Sequence, residues 1–264
     1  MTNIFDTHAH YCSHQFNDDR AAVVASLPEH GVVGVLECAT HLGDAVRALE
    51  LAHAHEHVYA AVGIHPESLI EEDAATVATF HGDWRAEIEA MRPLFADPKV
   101  VAVGEIGLDH HWPVPKAEQY EMFEAFLLLA KELGLPASIH DREAHAEMYE
   151  LLEKHKPAGV LHCYSGSAED AVRLAKNGLY FGFGGALTYK GAKRAVKAVQ
   201  VIPKEQVVLE TDCPFMAPEP FRGKRNDPGY LYCMAERLAE IRGISVEEVQ
   251  KVTTENARKL YRMD

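Results

Sequence analysis

The sequence lacks the features of a secreted, membrane-bound or disulfide-stabilised protein. Its five cysteines are odd in number and form no CxxC pair, which favours free thiols in a reducing compartment. The N-terminus has no basic segment followed by an apolar core, and no apolar run approaches transmembrane length. We therefore expect a cytoplasmic protein without a membrane partner. The sequence sets no oligomeric state, and a monomer is compatible with it.

The chain also lacks an excess of positive charge. It carries 26 Lys and Arg against 40 Asp and Glu, a formal net charge of -14. This balance excludes a broad surface that holds nucleic acid by its phosphates alone. A nucleic-acid substrate would have to be captured locally, in a cleft. The 16 histidines are numerous for this length, and several stand at the ends of apolar runs.

Eight apolar, strand-like segments alternate with helical patterns, which predicts an α/β protein. Several are continuous apolar runs, as in parallel strands buried on both faces. Eight such repeats fit a single-domain (β/α)8 TIM barrel over residues 1–264, and a doubly wound sheet is the alternative. The predicted strands are Asn3–Thr7, Val32–Glu37, Val58–Val62, Val100–Gly104, Pro136–Ile139, Ala158–Leu161, Tyr180–Gly182 and Gln206–Glu210.

Apolar residues at helical spacing predict the helices between these strands. Gly134 is expected to end the helix before it. Towards the C-terminus, Ser245–Arg262 is expected to form two short helices, with Thr253 and Thr254 as candidate caps. The clearest of the other predicted helices are Leu42–His55, Ala74–Met91, Ala117–Leu133 and Arg142–Glu153.

Metal-binding side chains stand where five of the predicted strands end. Functional groups in a TIM barrel lie at the C-terminal ends of its strands. Taken singly, each residue has an ordinary structural role: a solvated loop carboxylate, a core histidine or a turn cap. Their joint placement favours a metal-binding cluster. The six residues are His8, His10, Glu105, His140, His162 and Asp212.

Imidazoles and carboxylates without thiolates suit Mg²⁺, Mn²⁺ or Zn²⁺. Six such groups exceed the usual need of one small ion, so we expect two divalent metal ions that share Glu105. A pair of metals can bind a hydroxide and stabilise both oxygens of a displacement. Asp212 could bind one ion and accept a proton from the attacking water. The predicted chemistry is hydrolysis, and Asp212 and Glu105 are the predicted catalytic residues.

Seven motifs carry a resemblance to a known family. They are FDTHAH, VGIHPE, VGEIGLDHHW, LPASIHDREA, LHCYSGS, LETDCPFMAPEPFRGKRNDP and TTENARKLY, and they span nearly the whole chain in family order. The sequence resembles the TatD-type metal-dependent hydrolases of the amidohydrolase-like TIM-barrel superfamily. The resemblance implies a barrel with a two-metal site and phosphodiester hydrolysis, since family members are known as deoxyribonucleases.

The resemblance also implies a role for each ligand. His8 and His10 would bind the first metal, with Asp212 beside it. Glu105 would bridge both metals. The second metal would be held by His140 and His162.

Three further residues are predicted to bind substrate. His65 resembles the family's substrate-side histidine, which meets a phosphate oxygen; alternatively, it fixes the turn before Pro66. The segment FRGKR concentrates three cations in an acidic protein and could present Arg222 and Lys224 to phosphate. The alternative for these two residues is a solvated charge run.

The leading hypothesis is a divalent-metal-dependent hydrolase that cleaves phosphodiester bonds in DNA. We expect exonucleolytic cleavage from strand ends, by attack of a metal-bound hydroxide. The alternative is hydrolysis of another ester or amide, such as an acyl ester on RNA, a lactone or a small phosphoester, at the same dinuclear site. A non-enzymatic metal-dependent scaffold is the third and weakest hypothesis.

Overall fold

The computed structural model describes residues 3–263. The chain divides into two compact units. We call Glu37–Leu161 the central unit, and the described residues up to Leu36 together with those from His162 onward the terminal unit. No helix in the described range is long and apolar enough to cross a membrane. The assignment of residues 1–264 to a single domain stays a prediction.

Eight strands alternate with helices, and their order in the sheet follows their order in the chain. This alternation confirms the predicted fold class, and each predicted strand has a counterpart. The strands are β1 Ile4–Ala9, β2 Val32–Cys38, β3 Val58–Val62, β4 Val100–Asp109, β5 Ala137–Arg142, β6 Gly159–Leu161, β7 Tyr180–Phe183 and β8 Val207–Leu209.

The α-helices cover the segments between and after these strands. The C-terminal end of α5 confirms the predicted role of Gly134, which is left-handed at φ 67°. The helices are α1 Arg20–Ser26, α2 Leu42–Ala54, α3 Ala75–Ala78, α4 Trp84–Met91, α5 Lys116–Leu133, α6 His145–His155, α7 Ala168–Ala175, α8 Lys193–Val201, α9 Leu231–Arg242 and α10 Val246–Tyr261.

Two helix predictions were wrong. The expected helix Ala74–Met91 is interrupted because His81 and Gly82 have φ angles of 52° and 87°, which a right-handed helix excludes. The C-terminal segment forms one helix instead of two, capped by Ser245, whose hydroxyl accepts from the Glu248 N–H. Thr253 and Thr254 therefore lie inside α10 rather than at a helix start.

In the terminal unit, the end of β1 lies against the segment that follows β8. The Asp212 N–H donates to the His8 carbonyl (2.9 Å), and the His10 N–H donates to the Cys213 carbonyl (2.7 Å). Helix α10 supports β1, since the Thr254 hydroxyl accepts from the Phe5 N–H. Hydrogen bonding between the first and last strands is what closure of a sheet into a barrel requires.

In the central unit, β3, β4, β5 and β6 pair in parallel. Strand β4 runs five residues beyond the predicted end at Gly104, so Glu105 lies within the strand rather than after it. The register between β4 and β5 shifts between Val103 and Ile106. The continuous apolar run of β4 ends at Val103, before this irregularity, whereas the backbone pairing with β5 resumes at Ile106.

Gln119 ties the end of β4 to α5. Its buried amide accepts from the Asp109 N–H (2.7 Å) and donates to the carbonyls of Asp109 and Val114. Gln119→Ala removes the side-chain partner of three backbone groups, so we expect the free energy of unfolding to fall by about 2–4 kcal/mol. Urea unfolding followed by circular dichroism measures this loss. Lys116→Ala, at an exposed position of the same helix, is the control, and equal midpoints for the two variants would contradict the assignment.

Candidate metal centre and substrate cleft

Three predicted ligands converge in the terminal unit. The Nε2 atoms of His8 and His10 lie 3.1 Å apart. Asp212 Oδ1 lies 3.5 Å from His10 Nε2 and 3.9 Å from His8 Nε2. We call His8, His10 and Asp212 the β1/β8 cluster; all three residues are buried. The structure thus brings together the residues predicted to bind the first metal.

The spacing of these three atoms fits a divalent ion. Nitrogen and oxygen ligands lie about 2.0–2.2 Å from Zn²⁺, so neighbouring ligand atoms around one ion are separated by about 3.0–3.5 Å. The observed separations, 3.1, 3.5 and 3.9 Å, are close to this range. Histidine and carboxylate donors also match the ligand preference of Zn²⁺ and Mn²⁺.

A buried carboxylate, Asp6, anchors this cluster. Its Oδ2 accepts from the Thr211 hydroxyl (2.6 Å), and its Oδ1 accepts from the N–H groups of Thr211 (2.9 Å) and His8 (3.3 Å). Burial raises the pKa of Asp6 to about 7, although these hydrogen bonds oppose the shift. Asp6 thereby fixes the backbone of His8 and of Thr211, the residue before Asp212.

Asp212 is a carboxylate at pH 7 despite its burial. Burial raises its pKa, but the hydrogen bond with His10 and the charges of His162 and His8 outweigh that effect. The pKa of Asp212 therefore lies below its ordinary value. Its backbone is left-handed at φ 59°, a conformation that is uncommon for residues other than glycine. The Asp212 N–H bond to the His8 carbonyl holds it in place.

His162 also lies in the terminal unit, stacked on His8 with ring centroids 3.9 Å apart. Its Nδ1 faces Glu210 Oε1 at 3.7 Å. Glu210 accepts the Cys163 N–H, whereas its buried Oε2 has no hydrogen-bond partner among residues 3–263. A buried carboxylate with an unpartnered oxygen is stabilised by a nearby cation. The position of Glu210 therefore supports the prediction that His162 lies beside a metal ion.

Gly182 makes room for Glu210. A Cβ atom at Gly182 would lie 2.1 Å from Glu210 Oε2, so any side chain at this position of β7 would displace the carboxylate.

Glu105 and His140 converge in the central unit. His140 Nδ1 lies 3.0 Å from Glu105 Oε1, and its Nε2 lies 2.9 Å from Asp109 Oδ2. The carboxylate of Asp109 favours the tautomer with the hydrogen on Nε2, so Nδ1, on the side of Glu105, is the ring atom that would face a metal ion. We call Glu105, Asp109 and His140 the β4/β5 cluster.

Asp109 is an ionised partner for His140. Burial raises its pKa, but the hydrogen bond and charge of His140 and the His111 N–H outweigh burial and lower it overall. A carboxylate that orients a metal-binding histidine in this way is a common feature of metal sites.

His65 has a structural role that the sequence offered as the alternative to substrate binding. Its Nδ1 accepts from the Glu67 N–H (3.2 Å) and so caps the short helical turn that starts at Pro66. In the neutral ring the hydrogen is then on Nε2, which lies 3.9 Å from Glu105 Oε1. A fixed N–H donor suits an anionic oxygen better than a metal ion, so the cap and the predicted contact with phosphate are compatible.

Arg222 and Lys224 line one cleft of the terminal unit, of about 420 Å³. Within the described residues neither side chain has a hydrogen bond or an ion pair; Arg222 lies over the Tyr189 ring, 4.4 Å from its centroid. The third cation of the segment, Arg225, is instead bound to Asp19 through both carboxylate oxygens. Arg225 therefore holds the loop, while the other two are available to a ligand.

Sequence analysis missed three buried carboxylates: Asp6, Asp109 and Glu210. Each lies within four residues of a predicted ligand in FDTHAH, VGEIGLD or LETD. An acid within or directly after an apolar run is the signal that could have found them, because a buried carboxylate needs partners. The identity of those partners, Thr211, His140 and the Cys163 N–H, depends on tertiary structure.

A (β/α)8 fold with histidines and carboxylates on or shortly after its strands is the arrangement of a TIM-barrel metal-dependent hydrolase. A sequence model of the family "TatD related DNase" matches residues 5–262. The chain belongs to the TatD family.

Relatives in bacteria match the chain over nearly its full length. The uncharacterized metal-dependent hydrolase YabD of Bacillus subtilis is 38% identical and covers 99% of this chain and 100% of its own. The protein named 3'-5' ssDNA/RNA exonuclease TatD of Citrobacter rodentium is 34% identical, over 98% of this chain and 97% of its own. The crystal structure of YjjV, a TatD homologue of Escherichia coli K12, superposes with a TM-score of 0.88 at 29% identity, covering 99% and 98% of the two chains.

Removal of Asp109 should weaken metal binding without unfolding the protein. We expect Asp109→Ala to lower the affinity for one divalent ion by about 10- to 100-fold, because the His140 ring loses the partner that orients it. Isothermal titration of metal-free protein with Mn²⁺ or Zn²⁺ measures the change.

Asp97→Ala is a matched control. Asp97 also accepts a histidine nitrogen (His53, 2.8 Å) and the N–H two residues further on (Lys99, 2.9 Å), as Asp109 does. If both variants bind metal with unchanged affinity, Asp109 has no role in positioning His140.

Proposed function

We propose that the protein is a divalent-metal-dependent phosphodiesterase that removes nucleotides from the ends of single-stranded nucleic acid, with DNA as a substrate. The observation that carries this proposal is the convergence of His8, His10 and Asp212, whose ligand atoms lie 3.1–3.9 Å apart. The name of the Citrobacter relative, a 3'-5' ssDNA/RNA exonuclease, supports the type of substrate. The five thiols favour a reducing compartment, and a cytoplasmic location is part of the proposal.

Two divalent ions are proposed, held by the six residues that the sequence predicts. The β1/β8 cluster would hold one ion, and Glu105 would be shared. Mg²⁺, Mn²⁺ and Zn²⁺ all suit these donors. When bound, such ions supply a hydrolytic nucleophile at neutral pH and stabilise the negative charge of a phosphodiester. The second ion would be held by His140 and His162.

The protein's own side chains accept the proton of the attacking water and bind the phosphates of the substrate. Asp212, ionised because its pKa lies below the ordinary value, accepts a proton from the attacking water. His65 donates its Nε2–H to a phosphate oxygen. Arg222 and Lys224 neutralise the phosphates of the strand next to the cut.

The distribution of charge supports the proposed preference for strand ends. The net charge of -14 repels an extended polyanion, so the substrate is not held along a broad surface. Three cations line the cleft. Arg222 and Lys224, the two that are not bound to Asp19, lie close to Asp212 in sequence and in the same unit as the β1/β8 cluster. A short segment of strand can be bound there by local contacts.

A cleavage assay tests the proposed function. Single-stranded DNA labelled at either end is incubated with metal-free protein and with protein loaded with Mg²⁺, Mn²⁺ or Zn²⁺. We expect metal-dependent release of nucleotides, lowered about 100- to 10,000-fold in Asp212→Asn, which loses both a ligand and a proton acceptor. Glu236→Gln, an exposed carboxylate of α9, should cleave like wild type.

Each result of this assay has a defined meaning. The label that is released shows which end is attacked. Intact DNA under every metal, with metal loading verified, would contradict the proposal. Cleavage of an acyl ester, a lactone or a small phosphoester by the same loaded protein would then identify the alternative substrate class.

Removal of metal should lower the thermal stability of the protein. A ligand at 100 times its Kd stabilises the folded state by about 2.7 kcal/mol, which for a chain of this size raises Tm by about 5–10 °C. We expect a chelator to remove this increment and added Mn²⁺ or Zn²⁺ to restore it, as followed by differential scanning fluorimetry.

His10→Ala should lose most of the metal-induced rise in Tm, whereas His14→Ala should keep it. His14 is an exposed histidine four residues away, so it controls for unspecific binding to imidazole. An equal rise in both variants would show that the ion binds elsewhere.

A further inference from the structure

We propose that Phe215 is a stacking platform for a nucleobase of the substrate, in the cleft that carries Arg222 and Lys224. This inference rests on the proposed function and adds a determinant of substrate binding to it. Phe215 and Met216 lie directly after the metal-binding segment, and 47% and 38% of their surfaces are exposed. Both residues line the cleft together with Arg222 and Lys224, and exposed apolar surface rimmed by polar groups is typical of a ligand-binding groove.

The position of Phe215 connects it to the β1/β8 cluster. Its ring centroid lies 6.0 Å from that of His10, at an interplanar angle of 65°. The two rings are in a T-shaped arrangement, so Phe215 lies next to a predicted ligand while a large part of its surface remains open to solvent. A base stacked on this ring would lie beside the phosphate at which the cut is made.

The backbone around Phe215 is fixed on both sides. Its N–H donates to the Asp212 carbonyl (2.7 Å), and its carbonyl accepts from Asn226 Nδ2 (2.8 Å). Asn226 is fully buried and also donates to the Thr211 carbonyl. The exposed ring is thus held by the same segment that carries Asp212, and little freedom is lost when a ligand stacks on it.

The rest of the cleft has the chemistry of a nucleotide site. Phe215, Met216 and Tyr189 line it together with Arg222 and Lys224, and its volume is about 420 Å³. Because Arg222 is stacked on Tyr189, its N–H donors point outward from the edge of the guanidinium plane. Aromatic faces for bases and cations for phosphates are how proteins bind single strands without sequence preference.

Abasic substrates test this platform. Single-stranded oligonucleotides carry one abasic residue at each of the three terminal positions in turn, and KM and kcat are measured with metal-loaded protein. We expect Phe215→Ala to raise KM for the natural oligonucleotide about 5- to 100-fold, the effect of losing one base–aromatic stack. One abasic position should cause a similar rise in wild type and no further rise in Phe215→Ala.

Matched variants distinguish the effect of a flat aromatic ring at position 215 from the effect of apolar volume alone. Phe215→Tyr keeps the flat face and should keep the wild-type KM, whereas Phe215→Leu keeps apolar volume and should lose the stack. Tyr232→Ala removes another exposed aromatic residue, on α9, and should change neither constant. Thermal unfolding of each variant verifies the fold, and Phe215→Leu carries the test if Phe215→Ala is unstable.

The outcomes distinguish this inference from the proposed function. In one outcome, wild type cleaves the oligonucleotides while the effects of Phe215→Ala and of every abasic position on KM are additive. That result would contradict the stacking role of Phe215 and leave the proposed nuclease activity supported. An unchanged KM in Phe215→Ala and Phe215→Leu has the same meaning. If metal-loaded wild type cleaves none of the oligonucleotides, the proposed function fails, and the platform fails with it.

Discussion

The hydrogen bonds of the buried Asp6 carboxylate are the interaction on which the candidate site depends. They join the end of β1, which carries His8 and His10, to the segment after β8, which carries Asp212. Removing a carboxylate from water is costly unless its oxygens are paired, and three donors compensate Asp6. The cost is still visible in its pKa, which burial raises to about 7. These bonds add to the backbone bonds that join Asp212 to His8 and His10 to Cys213, so the side chain of Asp6 and the backbone together align the two segments.

Hydrogen bonds also fix the rings of two other predicted site residues, His140 and His65. In each case one ring nitrogen of a histidine is occupied by a group of the protein: Asp109 for His140, and the Glu67 N–H for His65. Fixing one nitrogen determines which tautomer the ring adopts and therefore what the other nitrogen can do. His140 presents an acceptor, as a metal ligand must, whereas His65 presents a donor. These hydrogen-bond partners therefore suit the two histidines to the different roles proposed for them.

Local sequence patterns predict the fold class because it depends on short-range order, and they bring forward candidate ligands that the structure places close together in the β1/β8 cluster. Continuous apolar runs define buried parallel strands, and Val58–Val62 is predicted to the residue. Features set by tertiary contacts escape this reasoning. Strand β4 continues past its apolar run to Asp109, because pairing with β5 resumes beyond a register shift. The helix expected over Ala74–Met91 is broken by the backbone angles at His81 and Gly82. Within FRGKR, Arg225 differs from the other two cations because it binds Asp19, which is distant in the chain.

The central claim is that the β1/β8 cluster holds a divalent ion. The most direct measurement is anomalous diffraction from crystals of the protein soaked in Mn²⁺ or Zn²⁺. The account predicts an anomalous peak about 2.0–2.3 Å from His8 Nε2, His10 Nε2 and an oxygen of Asp212. Metal-soaked crystals with no peak at these three side chains, and with ions bound only elsewhere on the surface, would contradict it.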